Sequence, residues 1–150
     1  MDLDTLKNAL RFAQGKFALF VVFADSIAGA DLRNQLDRQF IKLGQAGDTS
    51  EQIIDQVMSL QKGSAQTCVW LDMTVFTSAE RGFIYARLNE RRSIIEGKGC
   101  NFFIHSPPED ADEKHTAAYG MPDLWHVRAC PSIVWQLPTK ASVLEPGPAP

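Results

Sequence analysis

Two short stretches of this sequence place acidic side chains where a nucleotide-binding protein places its ligands. The stretch "CVWLD" ends in Asp72, and the apolar stretch "FALFVVFA" at residues 17–24 is followed by Asp25 and Ser26. In many nucleotide hydrolases an aspartate at the end of a buried strand holds magnesium, and the turn after the first strand contacts phosphate. Asp25, Ser26 and Asp72 are therefore candidate ligands for a nucleotide and its magnesium ion.

The turn after residue 24 lacks the parts of a phosphate loop. The motif G-x-x-x-x-G-K-[ST] uses glycines to point backbone N–H groups into one concavity and a lysine to reach the terminal phosphates. The turn "DSIAGAD" has one glycine, Gly29, no lysine, and two aspartates that repel phosphate. The N-terminus of the following helix attracts anions in general, but the sequence does not predict tight triphosphate binding. Asp72 has a structural alternative as well, because aspartate commonly ends a strand at a turn.

Three arginines form a second group of candidates, which we call the arginine strip. Arg87, Arg91 and Arg92 lie on one predicted helix, where they could bind an acidic partner or a phosphate. The structural alternative is a solvated helix face on which these arginines pair with Glu90 and Glu96. The sequence leaves both interpretations open.

The stretch "PDLWHVR" provides a third group, which we call the tryptophan corner. Asp123, Trp125 and Arg128 could form a recognition surface for another protein. In the structural alternative, Trp125 covers the end of the sheet and Asp123 caps a short helix that follows Pro122. The arginine strip and the tryptophan corner together are the candidate partner-binding surface.

The cysteines and histidines do not have the spacing of a metal site or a catalytic dyad. Zinc sites need pairs such as C-x-x-C or H-x-x-H, and His126 with Cys130 is the only close pair. Cys100 and His105 lie five residues apart on one predicted strand, so their side chains point to opposite faces and cannot form a dyad. We expect no bound metal and no other cofactor. Cys68 and Cys100 are expected to be buried reduced thiols of a cytosolic protein.

An acidic run follows Pro107 and Pro108. It lacks the ordered spacing of an EF-hand calcium loop, so we expect the solvated start of a helix, which the helix dipole favours. Its members are Glu109, Asp110, Asp112 and Glu113.

Predicted strands and helices that would position these residues alternate along the chain. Apolar runs without alternation are typical of central strands that are covered on both faces, and segments with helical spacing separate them. The predicted strands are residues 17–24, 67–72, 101–105 and 132–137. The predicted helices are residues 2–14, 30–43, a helix capped by Ser50, 78–96 and a short polar helix at 109–120. This order predicts an α/β fold, a three-layer sandwich with a mainly parallel sheet of about four strands.

The size and composition are typical of one globular domain. The chain has 150 residues, 45% hydrophobic and 22% charged, with a formal net charge of −3, so the electrostatics give no reason to expect nucleic-acid binding. We expect a single α/β domain at residues 1–138 and a flexible proline-rich tail at 139–150. The acidic start does not fit a signal peptide, and no apolar stretch reaches the ~20 residues of a membrane span. The sequence therefore predicts a cytoplasmic protein without membrane contact.

Two phrases resemble a segment near the start of many large bacterial signalling and defence proteins, which are STAND-type ATPases. In that family a helix carries a pattern like L-N-x-R-R, and a short helix further on leads into a phrase like P-D-L/F-W-x-x-R. The strand, turn and helix at residues 17–36 also look like the family's first strand and helix. The matching residues here are Leu88, Asn89, Arg91 and Arg92, then Pro122, Asp123, Leu124, Trp125 and Arg128.

The resemblance implies a P-loop-NTPase-like topology in an inactive relative that lacks the phosphate loop. The function it implies is that of a non-catalytic protein-interaction module, an adaptor or regulator in a bacterial defence or signalling system. Its partner would be another protein, such as an effector or signalling ATPase encoded nearby. Two alternatives stay open. One is a nucleotide-binding switch or NTPase with an atypical phosphate site that uses Asp72 for magnesium, and the other is a structural role as one piece of a split receptor.

Overall fold

The computed structural model describes residues 2–62, 67–112 and 117–137 of the chain. The expected tail at 139–150 lies outside the described residues, as do Glu113 and His115. No helix in the described part of the chain is long and apolar enough to cross a membrane. The elements in chain order are α1 (Leu3–Phe12), β1 (Ala18–Phe23), α2 (Ser26–Gln35), β2 (Phe40–Leu43), α3 (Ser50–Met58), β3 (Cys68–Asp72), α4 (Ser78–Glu90), α5 (Arg92–Gly97), β4 (Asn101–Ser106), a 3-10 helix (Pro108–Ala111), α6 (Ala117–Gly120), α7 (Pro122–His126) and β5 (Ile133–Val134).

Five parallel strands form one sheet in the order β2–β3–β4–β1–β5. β4 lies between β1 and β3, so that Phe103 is opposite both Phe20 and Trp70. This arrangement confirms the predicted α/β fold with a parallel sheet, with five strands instead of about four. The predicted strand at 132–137 contains only the two residues of β5. All strands run the same way, so their carboxyl ends share one edge of the sheet, which we call the carboxyl edge.

Helices cover both faces of the sheet and produce three layers. Leu19 and Val21 of β1 belong to a core that α3, α4 and the short helices α5, α6 and α7 cover. Phe20 and Val22 belong to a second core that α1 and α2 cover. The alternation follows the two-residue period of a strand. Because both faces of the central strands are buried, these strands read as uninterrupted apolar runs.

The predicted helix at residues 30–43 is wrong in its second half. Helix α2 ends early, Asp37 adopts a left-handed backbone with φ 51°, and the chain then forms the edge strand β2. Phe40 packs into the core under α1 and α2, whereas Leu43 packs into the other core, as side chains three positions apart in a strand must. A spacing of three residues also fits one face of a helix, so the sequence pattern of Phe40 and Leu43 did not distinguish β2 from a helix.

Two helix boundaries also differ from the sequence prediction. The predicted helix at 78–96 divides at Arg91, whose backbone has φ −106° and ψ 20°, into α4 and α5. Thr49 rather than Ser50 caps α3. Thr49 Oγ1 accepts a hydrogen bond from the Gln52 N–H, and the Gln52 side chain accepts one from the Thr49 N–H. Because this capping box places the N-cap at Thr49, Ser50 is the first residue of the helix and not its cap.

A buried ion pair joins α4 to the segment that follows β4. Arg81 and Asp110 are 4% and 2% exposed, and the guanidinium donates to both carboxylate oxygens, at 2.7 and 3.0 Å. Arg81 Nη1 donates to the Phe76 carbonyl at 2.7 Å. The Tyr85 hydroxyl donates to Asp110 Oδ2 at 2.6 Å, and burial, with Asp110 as the second cause, raises the pKa of Tyr85. The phenol therefore keeps its proton, and Ser106 Oγ donates to its oxygen.

The acidic run therefore only partly agrees with the prediction of a solvated helix start. Asp110 is buried, whereas Glu109 is 69% exposed and gives Arg81 a second carboxylate at 2.7 Å. Arg81 and Asp110 are 29 positions apart in the chain. No local pattern connects residues at that separation, so the sequence did not reveal the pair.

Substitution of Arg81 should destabilise the fold strongly. Arg81→Leu leaves the Asp110 carboxylate buried and unpaired, so we expect the free energy of unfolding to fall by about 3–5 kcal/mol. Urea unfolding followed by circular dichroism measures this change. Glu109→Gln is the matched control, because it removes only the exposed partner and should cost less than about 1 kcal/mol. Arg81→Leu combined with Asp110→Leu should recover part of the loss, and equal losses for Arg81→Leu and Glu109→Gln would contradict the assignment.

Candidate functional site

The turn between β1 and α2 contains only Ala24 and Asp25. Asp25 has an extended backbone, with φ −67° and ψ 174°, and its Oδ1 accepts a hydrogen bond from the Ala28 N–H at 2.7 Å. It is therefore the N-cap of α2. Ser26 is the first residue of the helix and is exposed. The Asp25 carboxylate lies at the positive end of α2, where a bound anion would otherwise lie.

A buried histidine holds this turn closed. His105 lies near the end of β4 and is 1% exposed. Its Nε2 is 2.9 Å from the Ala24 carbonyl oxygen and 3.1 Å from the Asp25 carbonyl oxygen. Because carbonyl oxygens only accept hydrogen bonds, Nε2 must carry a proton. A Cβ at Gly29 would overlap the imidazole ring, so α2 packs directly on the ring and this position needs glycine.

Asp72 lies beside His105 at the carboxyl edge. The two residues are opposite each other in the β3–β4 register, with Asp72 Oδ1 3.6 Å from His105 Nδ1. Asp72 Oδ1 also accepts hydrogen bonds from the Thr74 N–H at 2.8 Å and the Thr74 hydroxyl at 2.6 Å, which is the strand-ending turn of the structural alternative. His105 Nδ1 has no hydrogen-bond partner among the described residues. The 3.6 Å separation is too long for a hydrogen bond, so the two residues are neighbours without a direct bond.

This edge does not fit a nucleotide triphosphate in the usual position. A phosphate loop needs several backbone N–H groups that converge on one concavity. The two-residue turn here instead directs the carbonyls of Ala24 and Asp25 at His105, and the Asp25 carboxylate would repel phosphate. Asp25 and Asp72 do share the carboxyl edge, but β4 separates their strands.

His105 was not predicted from sequence as part of this site, because its spacing relates it only to a zinc site or a cysteine dyad. The signal that could have identified it is its position. His105 follows the apolar residues Phe102, Phe103 and Ile104 of a predicted buried strand, and buried polar groups need partners.

The arginine strip pairs with neighbouring glutamates. Arg87 and Arg91 lie 3.4 and 3.6 Å from Glu90, and Arg92 lies 3.3 Å from Glu96. These are the partners that the structural alternative predicts. Exposed pairs of this kind contribute little to stability, so a partner carboxylate could replace either glutamate at a small cost.

Two arginines of the strip also line a groove of about 220 Å³ between α3 and α4. The Arg87 guanidinium lies 4.9 Å from the centroid of the Phe83 ring, a cation–π contact, and Phe83 is 41% exposed. Across the groove from Arg87 and Arg91, α3 contributes Glu51 and Asp55. The groove thus combines an exposed aromatic ring with charges of both signs.

Trp125 and Arg128 of the tryptophan corner pack on each other at the end of β1. The Arg128 guanidinium lies 3.7 Å from the centroid of the Trp125 ring, and its Nε donates to the Trp125 carbonyl at 2.8 Å. The Trp125 ring lies 6.1 Å from the ring of Phe23, the last residue of β1. Arg128 also donates to the Ser132 hydroxyl. These contacts agree with the structural alternative, in which Trp125 covers the end of the sheet.

Asn89, rather than Asp123, caps α7. Asn89 Oδ1 accepts hydrogen bonds from the N–H groups of Asp123 at 2.8 Å and Leu124 at 3.1 Å, and Asn89 Nδ2 donates to Asp123 Oδ2 at 3.2 Å. The predicted cap is wrong because Asp123 already lies inside the first turn of α7. The contact joins the L-N-x-R-R phrase to the P-D-L-W-x-x-R phrase, whereas Arg87 and Arg91 face α3 on another side of α4.

The three cysteines are free thiols, and burial raises the pKa of each. Cys100 packs in the core under α3 and α4, whereas His105 faces the other core, next to Trp70. The predicted separation of these two residues is thereby confirmed. Within the described ranges, no three His, Cys, Asp or Glu side chains are grouped as ligands for a metal ion.

Fold and site together describe a parallel α/β domain in which His105 and the Asp25 cap fill the carboxyl edge between β1 and β4. The sequence matches no protein-family model, and it matches no curated protein sequence. The resemblance to STAND-type ATPases therefore depends on the phrases quoted above.

Gly29→Ala should destabilise the protein because the new methyl group overlaps the His105 ring. We expect a loss of about 1–3 kcal/mol in the free energy of unfolding, although alanine is the better helix former. The matched control is Gly82→Ala on α4, where a Cβ meets nothing within 4 Å. It should be neutral or stabilise by up to about 1 kcal/mol. In a His105→Ala background, Gly29→Ala should behave like the control, and an unchanged penalty would disprove the contact.

Proposed function

We propose that this protein is a non-catalytic protein-interaction module, an adaptor or regulator derived from a nucleotide-binding fold. It acts in the cytoplasm of a bacterium, in a defence or signalling system, and its partner is another protein such as an effector or signalling ATPase encoded nearby. The carboxyl edge carries the proposal. The helix end that would receive a phosphate is capped by Asp25, and His105 bonds the turn where a phosphate loop would have to open.

The partner surface that we propose consists of the arginine strip and the tryptophan corner. Asn89 attaches α7 to α4, so the tryptophan corner has a fixed position relative to the helix that carries Arg87. The groove beside the strip adds Phe83, an exposed ring of the kind that is enriched in protein interfaces. Acidic groups of a partner would take the places of Glu90 and Glu96.

The nucleotide-binding switch is the second candidate function, and one observation favours it. His105 Nδ1 is buried without a partner and lies 3.6 Å from the Asp72 carboxylate, so a cation between them would satisfy both groups. In this alternative Asp72 would hold magnesium, and the turn at Asp25 and Ser26 would have to open before it could contact phosphate.

Calorimetric titration with ATP and GTP in the presence of magnesium separates the two candidates. For a protein shown to be folded by circular dichroism, the adaptor proposal predicts no nucleotide binding that depends on Asp72. Asp55→Ala, at an exposed position on α3, is the matched control. Micromolar binding that is lost in Asp72→Ala and kept in Asp55→Ala would overturn the proposal and establish the switch.

Charge reversal of the strip tests the partner surface. Arg91→Glu combined with Arg92→Glu should weaken binding to a partner by at least about tenfold, measured by co-purification with proteins encoded by neighbouring genes. Lys16→Glu with Lys62→Glu changes the net charge equally at exposed positions outside the surface. Undiminished binding by a folded strip variant would remove the strip from the proposal, and equal loss in both variants would show that only net charge matters.

A further inference from the structure

Two adjoining clefts lie where α1, the end of α2 and the start of β2 meet. The first has a volume of about 260 Å³. The second has a volume of about 180 Å³ and shares Asp37 and Arg38 with the first. Neither the arginine strip, the tryptophan corner nor the carboxyl edge contributes a residue to them. Five basic side chains line the two clefts: Lys7, Arg11, Arg33, Arg38 and Lys42.

Most of this positive charge has no counter-charge in the part of the chain that the structure describes. One carboxylate, Asp37, lines the clefts with the five cations, which leaves an excess of four positive charges on a protein whose formal net charge is −3. Lys7 lies 3.9 Å from Asp37, and the other four cations form no ion pair with any described residue. The arginine strip differs, because each of its arginines has a glutamate partner. Clefts lined by one sign of charge attract ions of the other sign.

Arg38 lines both clefts, and one nitrogen of its guanidinium is unsatisfied. The group also acts on the buried Cys68 thiol, because burial raises the pKa of that thiol and the Arg38 guanidinium partly offsets the rise. Arg38 Nη1 is buried and has no hydrogen-bond partner within the described chain. Leaving a buried donor unpaired costs about 1–3 kcal/mol, and more for a charged group, so such a group normally indicates a water or an ion. Arg33 does have a partner, because its guanidinium lies 5.4 Å from the centroid of the buried Trp70 ring. Ordering these side chains in advance lowers the entropic cost of binding an anion.

We propose that the clefts bind a small ligand that carries two phosphoryl groups, one in each cleft, with Arg38 contacting both. A phosphoryl group carries about −1.5 to −2 charges at neutral pH, so two of them balance the excess of four positive charges. Each cleft is smaller than the roughly 300–1,000 Å³ of a pocket for a drug-sized molecule, so each suits one phosphoryl group. The planar fork of an arginine binds phosphate oxygens in pairs.

Calorimetric titration of the full chain with pyrophosphate, orthophosphate and sulfate, without magnesium and at physiological ionic strength, tests this site. We expect pyrophosphate to bind at least about tenfold more tightly than orthophosphate. Arg38→Met should weaken pyrophosphate binding by at least about tenfold. The variant should fold, because methionine has a similar length and the change removes an unsatisfied donor. Lys7→Met with Arg11→Met should abolish the preference for pyrophosphate over orthophosphate.

Lys62→Met is the matched control, because it removes an exposed cation outside the clefts, and this variant should bind pyrophosphate like the unchanged protein. If Arg38→Met does not fold, Arg33→Met with Lys42→Met tests the first cleft at positions that are at least partly exposed. Pyrophosphate that binds no more tightly than sulfate, or equal losses in Arg38→Met and Lys62→Met, would refute the site. Asp72→Ala should leave pyrophosphate affinity unchanged, and a loss there would assign the binding to the carboxyl edge.

Discussion

The hydrogen bonds from His105 to the turn after β1 determine what the carboxyl edge of this protein can bind. They require β4 to lie beside β1, a turn of only two residues, and a glycine on α2 where the imidazole packs. Ligands of parallel α/β sheets usually bind at the carboxyl ends of the strands, so a buried ring at this edge affects function more than a ring elsewhere in the core. The proposed absence of nucleotide binding thus has a physical cause, the packing of the His105 ring on the turn after β1. Such a cause is stronger evidence than a missing phosphate-loop motif.

The central sheet was predictable from sequence because its strands are buried on both faces. The predicted strand at 67–72 differs from β3 by one residue, and the predicted strand at 101–105 differs from β4 by one. β2 was not predictable, because it is a short, half-exposed edge strand. Its apolar residues Phe40 and Leu43 carry a spacing that a helix shares, and in such a segment burial by neighbouring strands decides the structure.

The candidate site was predictable in its positions but only partly in its contacts. Asp72 lies at the carboxyl edge, and Arg92 pairs with Glu96 one helical turn away, as local spacing rules suggest. Contacts between distant segments were not predictable, because no local pattern encodes them. Arg81 with Asp110 and Asn89 with Asp123 belong to this class. Both contacts attach α4 to segments that follow β4, so the position of the corner depends on pairs that no single stretch of sequence displays.

The two phrases that resemble STAND-type ATPases owe much of their composition to packing. Asn89 caps α7, Trp125 packs against the end of β1, and Arg128 lies on the Trp125 ring. A chain that preserves such residues preserves a fold, and a fold supports many functions. The uncompensated positive charge lies elsewhere, around Arg38 beside β2, where neither phrase contributes a residue. The residues that carry the resemblance and the residues that carry unpaired positive charge therefore lie in different parts of this molecule. Only the unpaired charge attracts an anionic ligand.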